Sequence, residues 1–521
     1  MPESPSTIDP AGTDADSARL VDTGAAAVER AKLRRHLGRA DVLLFLICTL
    51  IGLDTIGSVA AYGGQAITWL LVLVLVFYLP SALLISELGA AFPAEGGPYV
   101  WVRMAFGRLA GAVNNIMYWV SNPVWLGGTL AITAVATVQG FYLGGRELNG
   151  VAFYILTMSF IWIGILSAIL SMSLGKYVTS TGAVVRVVLL AFFTLSVVIY
   201  AFKHGLHGIH ATDLSPSWAV FLALTPVLLF NFVGFDVPSA ASEEMRNPKR
   251  DVPFAILRSG VAAVLGYLLP VVGILIVLPT NAVTSLTGFL DAMRAAFTVY
   301  GGSIGTDGTV TLTGAGTVLA DVAAAGFILA LLTSAVPWIM GSDRALAVSG
   351  YDGAAPRSLG VISARYGTPV RVNLLSGLIA TVVCVMAHQF SGSAGKYFAA
   401  VLGLAVSTTL LSYLGILPAA WVLRRKLPDA ARPYRVPGGT KVVAACAIST
   451  VTLLVLGAIT LIYPGLLTHV FTGSPADAAL PTGWAGQRAA YTLSQLVPLG
   501  AFLAMGIGFY LVGRRTLTSD D

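Results

Sequence analysis

Charge is scarce in this chain. Only 11% of its 521 residues are Asp, Glu, Lys or Arg, while 56% are apolar and mean hydropathy is +0.81. Ordinary soluble domains carry about 25% charged residues, so that class is excluded. Cysteine is nearly absent. Cys48, Cys384 and Cys446 lie far apart inside apolar runs, which excludes a disulfide framework or a metal-ligand spacing and leaves them as small core residues. Histidine is rare as well, with six. His204, His207 and His210 in KHGLHGIH have the spacing of an outer-face metal or pH site, against which stands a plain solvated loop. No HExxH or comparable catalytic pair is present, so a membrane-embedded enzyme lacks its chemistry, and no metal or cofactor is expected.

What the chain does have is long apolar runs. Runs able to cross a bilayer fall near 41–62, 67–91, 110–142, 151–171, 178–202 and 217–241, then near 254–278, 317–341, 372–390, 397–423, 441–467 and 490–513. Twelve spans predict an all-α polytopic membrane protein with both termini on one side. Of the 31 Lys and Arg, 24 fall in the tails and even-numbered loops and 5 in the odd-numbered ones, which predicts cytoplasmic termini and a cytoplasmic membrane location. The net charge of +6 is this topology signal, with KLRRHLGR and RRKLPDAARPYR facing anionic lipid, and it gives no support to nucleic-acid binding. Residues 1–40 read as a disordered cytoplasmic tail, and the first span is too long for a cleavable signal.

Two carboxylates sit where lipid tolerates them least. Asp54 interrupts DVLLFLICTLIGLDTIGSVAAY and Asp236 interrupts WAVFLALTPVLLFNFVGFDVPSA, each at a cost of roughly 2.5 to 3.5 kcal/mol at the bilayer centre unless partnered. Both lie beside glycines able to break a helix, and a break frees peptide groups that must line a cavity or meet a ligand. Spans 1 and 6 are five apart, so they run in opposite directions, as an inverted-repeat transporter requires of its two discontinuous helices. A half-helix starting beyond Gly57 and Ser58 would offer N–H groups to a carboxylate. Carbonyls freed near Phe230 and Asn231 would suit an ammonium group. The competing reading is that Gly52, Gly57 and Gly234 only permit close helix packing.

Longer motifs extend this reading. ISELGAAFPAEGGPYVWVRMAFG, GFDVPSAASEEMRNPKRDVPFAI, SDRALAVSGYDGAAPRSLGVISARYGTPVRVN and RPYRVPGG resemble the amino acid–polyamine–organocation transporter superfamily over about residues 40–440. The resemblance implies a five-plus-five inverted-repeat (LeuT-like) core over residues 41–423, followed by a loop with two peripheral helices over 424–513 and a short tail over 514–521. It implies that Ile56, Gly57 and Ser58 bind substrate carboxylate, although Val59 stands where the family has a third glycine. It further implies an aromatic gate at Phe230, as in the arginine–agmatine antiporters, an amine-binding carbonyl at Val233, and pocket positions at Ser121, Asn122 and Trp338. Asp236 stands where the family's Glu is linked to proton sensing, with an Asp cap on the second half-helix as the alternative. Asn122 either reads the substrate or makes an interhelical hydrogen bond, and Trp338 either lines the pocket or packs.

Coupling is argued from charge. Arg186 sits roughly 12 Å into span 5, where it either snorkels outward or, as the resemblance implies, holds the place of a sodium ion. Arginine stays protonated, so a proton carrier must be a carboxylate, Asp236 first and Asp54 second. Should Asp54 face the pocket, it favours an amine, and a diamine bridging both carboxylates; should Arg186 neutralise it, a zwitterionic amino acid is favoured. The leading expectation is a proton-coupled permease or exchanger for an amino acid or related amine, with polyamine uptake second. A nutrient sensor would reuse the same pocket, while a channel would need a continuous polar face that these spans lack. The oligomeric state stays open.

Overall fold

The computed structural model describes residues 37–170, 172–205, 211–305, 308–473, 475–481 and 483–517. The expected tail up to residue 36, His207, His210 and residues 518–521 lie outside the described residues. Among the described residues ten unbroken helices are long and apolar enough to cross a membrane: Gln65–Ala91 (span 2), Arg108–Tyr142 (span 3), Gly150–Ile169 (span 4), Tyr177–His204 (span 5) and Pro248–Val277 (span 7), then Ala315–Tyr351 (span 8), Val370–Ser391 (span 9), Ala394–Lys426 (span 10), Gly439–Ile462 (span 11) and Arg488–Arg515 (span 12). The first and sixth spans are absent from that set because each is broken. Span 1 runs Arg39–Leu50 and resumes as Ile56–Ala60; span 6 runs Trp218–Asn231 and resumes as Val237–Glu244.

Spans 3 and 10 form the centre, 72% and 78% buried over their most apolar stretch, and span 12 lies outermost at 17%. Span 1 packs on spans 5 and 7, and the second half of span 6 packs on span 8. Span 11 lies against span 10 and the first half of span 6. The connection between spans 7 and 8 adds a short helix, Gly288–Phe297, and a small hairpin of Gly302–Ile304 against Val310–Leu312. All three cysteines are buried and free.

Span 8 continues ten residues past its expected end. The polar stretch SDRALAVSGY reads as a loop in sequence, but its charges are buried and paired. Asp343 accepts from Trp119 Nε1 (2.9 Å), Ser376 Oγ (2.7 Å) and Asn373 Nδ2 (2.5 Å). Next to it Arg344 pairs with Glu95 at 3.4 Å, both within 3% of full burial. Asp352 accepts from Tyr99 and pairs with Arg103 at 2.7 Å. On the neighbouring side Glu87 takes two bonds from Arg424 (2.6 and 2.5 Å), a third from Val436 N (2.8 Å), and faces Arg432 at 3.4 Å. Every one of these carboxylates comes from a recognisable motif, so the motifs mainly build one end of the bundle. Removing one member of a buried pair strands its partner's charge, at about 3 to 5 kcal/mol. Glu87→Ala is therefore expected to lower the thermal unfolding temperature in detergent markedly, whereas Leu75→Ala, on a side chain 66% exposed, leaves it near wild type.

Broken helices need substitutes for their lost ladder bonds, since an orphan peptide group in hydrocarbon costs several kcal/mol. In span 1 the hydroxyl of Tyr267 from span 7 donates to Leu50 O (3.0 Å) and accepts from Gly52 N (2.9 Å). One buried phenol thus serves both sides of the break. Trp338 Nε1 from span 8 donates to Thr49 O at 3.1 Å. In span 6 the turn depends on Gly234, whose φ of +118° suits glycine alone, and a Cβ there would sit 2.8 Å from the Trp338 ring. Tyr267→Phe keeps the ring and removes both bonds, so a loss of about 1 to 3 kcal/mol is expected. Thermal melts in detergent check it, with Tyr463→Phe on the partly exposed end of span 11 as reference.

Candidate functional site

The two breaks meet. Thr55 Oγ1 donates to Asn231 Oδ1 at 2.8 Å, tying the unwound part of span 1 to the last turn of the first half of span 6. Beside this contact lies a cavity of ≈ 20 Å3, room for about one or two water molecules. Span 1 lines it with Thr49, Leu50 and Gly52, and span 6 with Phe230, Asn231 and Val233. Trp125, Tyr267 and Trp338 close it from spans 3, 7 and 8. Trp125 meets Phe230 and Trp338 edge-on, with ring centroids 6.1 and 6.4 Å apart. Trp125 and Trp338 are buried and Phe230 is half-buried, so among these three rings Phe230 has the freest flank.

Asp54 is 2% exposed and is not itself a lining residue, but lies behind Gly52 and Trp125, which are. Its Oδ2 accepts from Trp125 Nε1 (2.8 Å) and Thr129 Oγ1 (2.9 Å), two residues four apart and therefore on one side of span 3. A π turn at Leu126–Leu130 begins right after Trp125 and contains Thr129, a distortion frequent at functional sites. Its Oδ1 has no hydrogen-bond partner. A Cβ placed on Gly52 would be 3.4 Å from both that oxygen and the Tyr267 hydroxyl.

Asp236 is fully buried on the far side of the break in span 6. Its Oδ1 accepts from Tyr413 of span 10, Tyr118 of span 3 stands beside the same carboxylate, and Oδ2 has no partner. Asp236 occupies the cap position of the second half-helix, yet its side chain makes no capping bond. The capping alternative is thereby set aside. Arg186 is likewise fully buried, donating to Ala330 O (2.7 Å), Ser334 Oγ (2.5 Å) and, more weakly, Gly182 O (3.4 Å). It turns inward between spans 5 and 8 and does not snorkel.

Phe230, Val233 and Trp338 line the cavity, whereas Asp54 lies behind its Gly52 wall and does not line it. Ile56, Gly57 and Ser58 are elsewhere. The second half of span 1 starts at Ile56, one residue before Gly57, and is only five residues long. A Cβ on Gly57 would lie 2.9 Å from the carbonyl oxygens of Thr284 and Ser285, and Ser58 Oγ donates to Ser285 O at 3.3 Å. Ser121 and Asn122 both bond back to Tyr118 O, at 2.8 and 3.0 Å, within span 3. The Asn122 amide bond is local, one turn back within span 3 beside Pro123, and no interhelical hydrogen bond of Asn122 is seen among the described residues. Sequence reasoning missed Trp125, Thr129, Tyr267, Tyr118 and Tyr413. For the four aromatics the available signal was a polar ring in mid-span, which when buried needs a partner for its N–H or O–H; Thr129 carried none.

A profile of the amino acid permease family matches residues 37–476. A probable agmatine/putrescine antiporter of Lactococcus lactis is 26% identical over 477 residues, covering 91% of this chain and 94% of its own. A transporter of Legionella pneumophila is 28% identical over 413 residues, 78% of this chain and 85% of its own. A polyamine transporter of Oryza sativa is 27% identical over 410 residues, 76% of this chain and 69% of its own. Such relatives are transporters and not enzymes, and the match spans all the motifs and both broken helices: the chain belongs to the amino acid permease family.

Proposed function

We infer that this protein is a secondary active transporter that carries an amino acid or a related amine through the junction of its two broken helices. The observation that carries this reading is the Thr55–Asn231 contact beside a cavity walled by both breaks. Residues 41–423 form the transport core, read as two inverted five-span repeats, with spans 11 and 12 and the two tails outside it. The excess of Lys and Arg in the tails and even-numbered loops supports a cytoplasmic membrane location with both termini inside. Polyamine uptake is the second reading, favoured by the names of two relatives. A nutrient sensor would bind at the same cavity without moving its ligand.

Coupling follows from the buried charges. Arg186 supplies a fixed positive charge between spans 5 and 8, where its bonds to Ala330 O and Ser334 Oγ occupy oxygens that a sodium ion would otherwise use. Proton carriage falls to Asp236, whose Oδ2 is unpaired and which touches spans 3 and 10 from the span 6 break. Protonating it would change its hold on Tyr413 and so the fit of span 6 against its neighbours. Purified protein in liposomes is expected to take up labelled amino acids or diamines under a pH gradient or in exchange for internal substrate, without regard to sodium. Uptake that follows sodium would overturn the role given to Arg186. Asp236→Asn is expected to abolish the pH dependence of uptake while keeping part of the substrate exchange, measured as counterflow at fixed pH. An unaltered pH profile would move the proton to another group.

A further inference from the structure

We propose that the seam between the start of span 1 and span 7 binds the phosphate of an anionic phospholipid, held between the guanidinium groups of Arg39 and Arg258. Arg258 is the observation that carries this site. Span 7 runs Pro248–Val277. About 20 helical residues cross the hydrocarbon, so counting back from Val277 puts Arg258 at its edge, level with the headgroups, at the end of the bundle read above as cytoplasmic. Val261, Leu265 and Leu269 continue the same helix face toward the bilayer centre, and all three are exposed, as side chains that meet lipid must be. Arg258 is exposed too, at the head of that stripe, and it has no ion pair among the described residues.

The charge is held in place. The guanidinium carbon of Arg258 lies 3.7 Å from the centre of the Phe254 ring, one turn back, and that of Arg39 lies 4.5 Å from the same ring. One ring thus gathers two cations from two spans, near enough for a single phosphate to touch both. Asp251 answers only one of them: it pairs with Arg39 at 3.0 Å, and Arg39 still keeps about half of its side chain exposed. Arg250, one turn before Phe254 on the same stripe, is an exposed third cation on the water side. A phosphodiester offers the oxygens that two arginine forks bind together, and its acyl chains find apolar surface on Leu257, Val261 and Leu265. A soluble anion has no use for that stripe, so the surface fits a lipid. Because Arg39 also fastens the first half of span 1 to span 7, a headgroup here would add to that fastening.

Lipid titration tests the site. Dioleoylphosphatidylglycerol, dioleoylphosphatidylcholine or inorganic phosphate is added to purified full-length protein in an uncharged detergent, with thermal unfolding followed and lipid adducts counted by native mass spectrometry. Phosphatidylglycerol is expected to raise the unfolding temperature and to persist as an adduct at concentrations where phosphatidylcholine does neither. Arg258→Gln breaks no ion pair among the described residues, so it is expected to fold, and to move the phosphatidylglycerol midpoint about tenfold higher. Arg258→Lys keeps the charge without the fork and is expected to fall between the two; it decides the matter if Arg258→Gln does not fold. Lys441→Gln, which removes an exposed cation at the start of span 11, is expected to leave the midpoint where it is. An equal loss in Lys441→Gln, or an unchanged midpoint in both Arg258 variants, would overturn the site. Equal stabilisation by phosphatidylcholine would overturn recognition of an anionic headgroup, and an equal effect of inorganic phosphate would make the occupant a soluble anion and overturn the lipid. None of these results bears on the transport reading.

Discussion

The structure depends on how peptide groups released at two helix breaks are satisfied in a place without water. An interruption in hydrocarbon is stable only if other groups replace the missing ladder bonds. Here the replacements are side chains, mostly aromatic ones bearing a polar tip. Tyr267 bridges Leu50 O and Gly52 N, and Trp338 takes Thr49 O. Thr55 and Asn231 then tie one break to the other. Since Tyr267, Trp338 and Asn231 are also cavity walls, the groups that stabilise the breaks are the groups a solute would meet.

A second constraint lies at one end of the bundle. Glu87, Glu95, Asp343 and Asp352 are buried with donors from spans 3, 8, 9 and 10 and the segments joining them. Buried pairs of this kind add little net stability over apolar packing, because desolvation consumes most of the attraction. Their value is geometric, since each fixes a particular register between helices. The first half of span 1 is fastened to this end as well, by Arg39 to Asp251 at 3.0 Å and by Leu37 pairing with Met245. Its other end finishes at the break. Span 1 is thus tied at this end to span 7 and the segment before it, and around its break to Tyr267 of span 7 and, through Asp54, to span 3.

Much of the architecture was legible because lipid leaves a plain mark on sequence. Twelve apolar runs, and the identity of the two interrupted ones, followed from hydropathy and from Asp54 and Asp236 standing beside glycines. Span ends were less legible where charge is buried. SDRALAVSGY reads as a loop, and its helix continues because Asp343 and Arg344 find partners on other spans, which local composition does not encode. The cavity walls were half legible. Phe230, Val233 and Trp338 are near the breaks or in a recognisable position, whereas Trp125, Tyr267 and Tyr413 are ordinary aromatics in apolar runs until the fold sets them against a carbonyl or a carboxylate. Gly57 and Ser58 read as the end of the break, yet they lie inside the second half-helix, and the Thr284–Ser285 carbonyls beside them come from a loop some 230 residues away.

Recognisability and chemistry are thus separated in this chain. Long motifs are long because many neighbouring residues share one structural task, the charged end of the bundle. The cavity takes one to three residues from each of five helices, so no stretch of sequence carries it. Family membership therefore says more about how the helices are held than about what passes between them. Asp54, whose Oδ2 accepts from Trp125 and Thr129 while Oδ1 has no partner, lies outside every one of those motifs. Occupancy and helix geometry are linked. A solute in the cavity would meet Tyr267, the residue that bridges the break in span 1, so the solute's affinity and the conformation of that break would each bias the other.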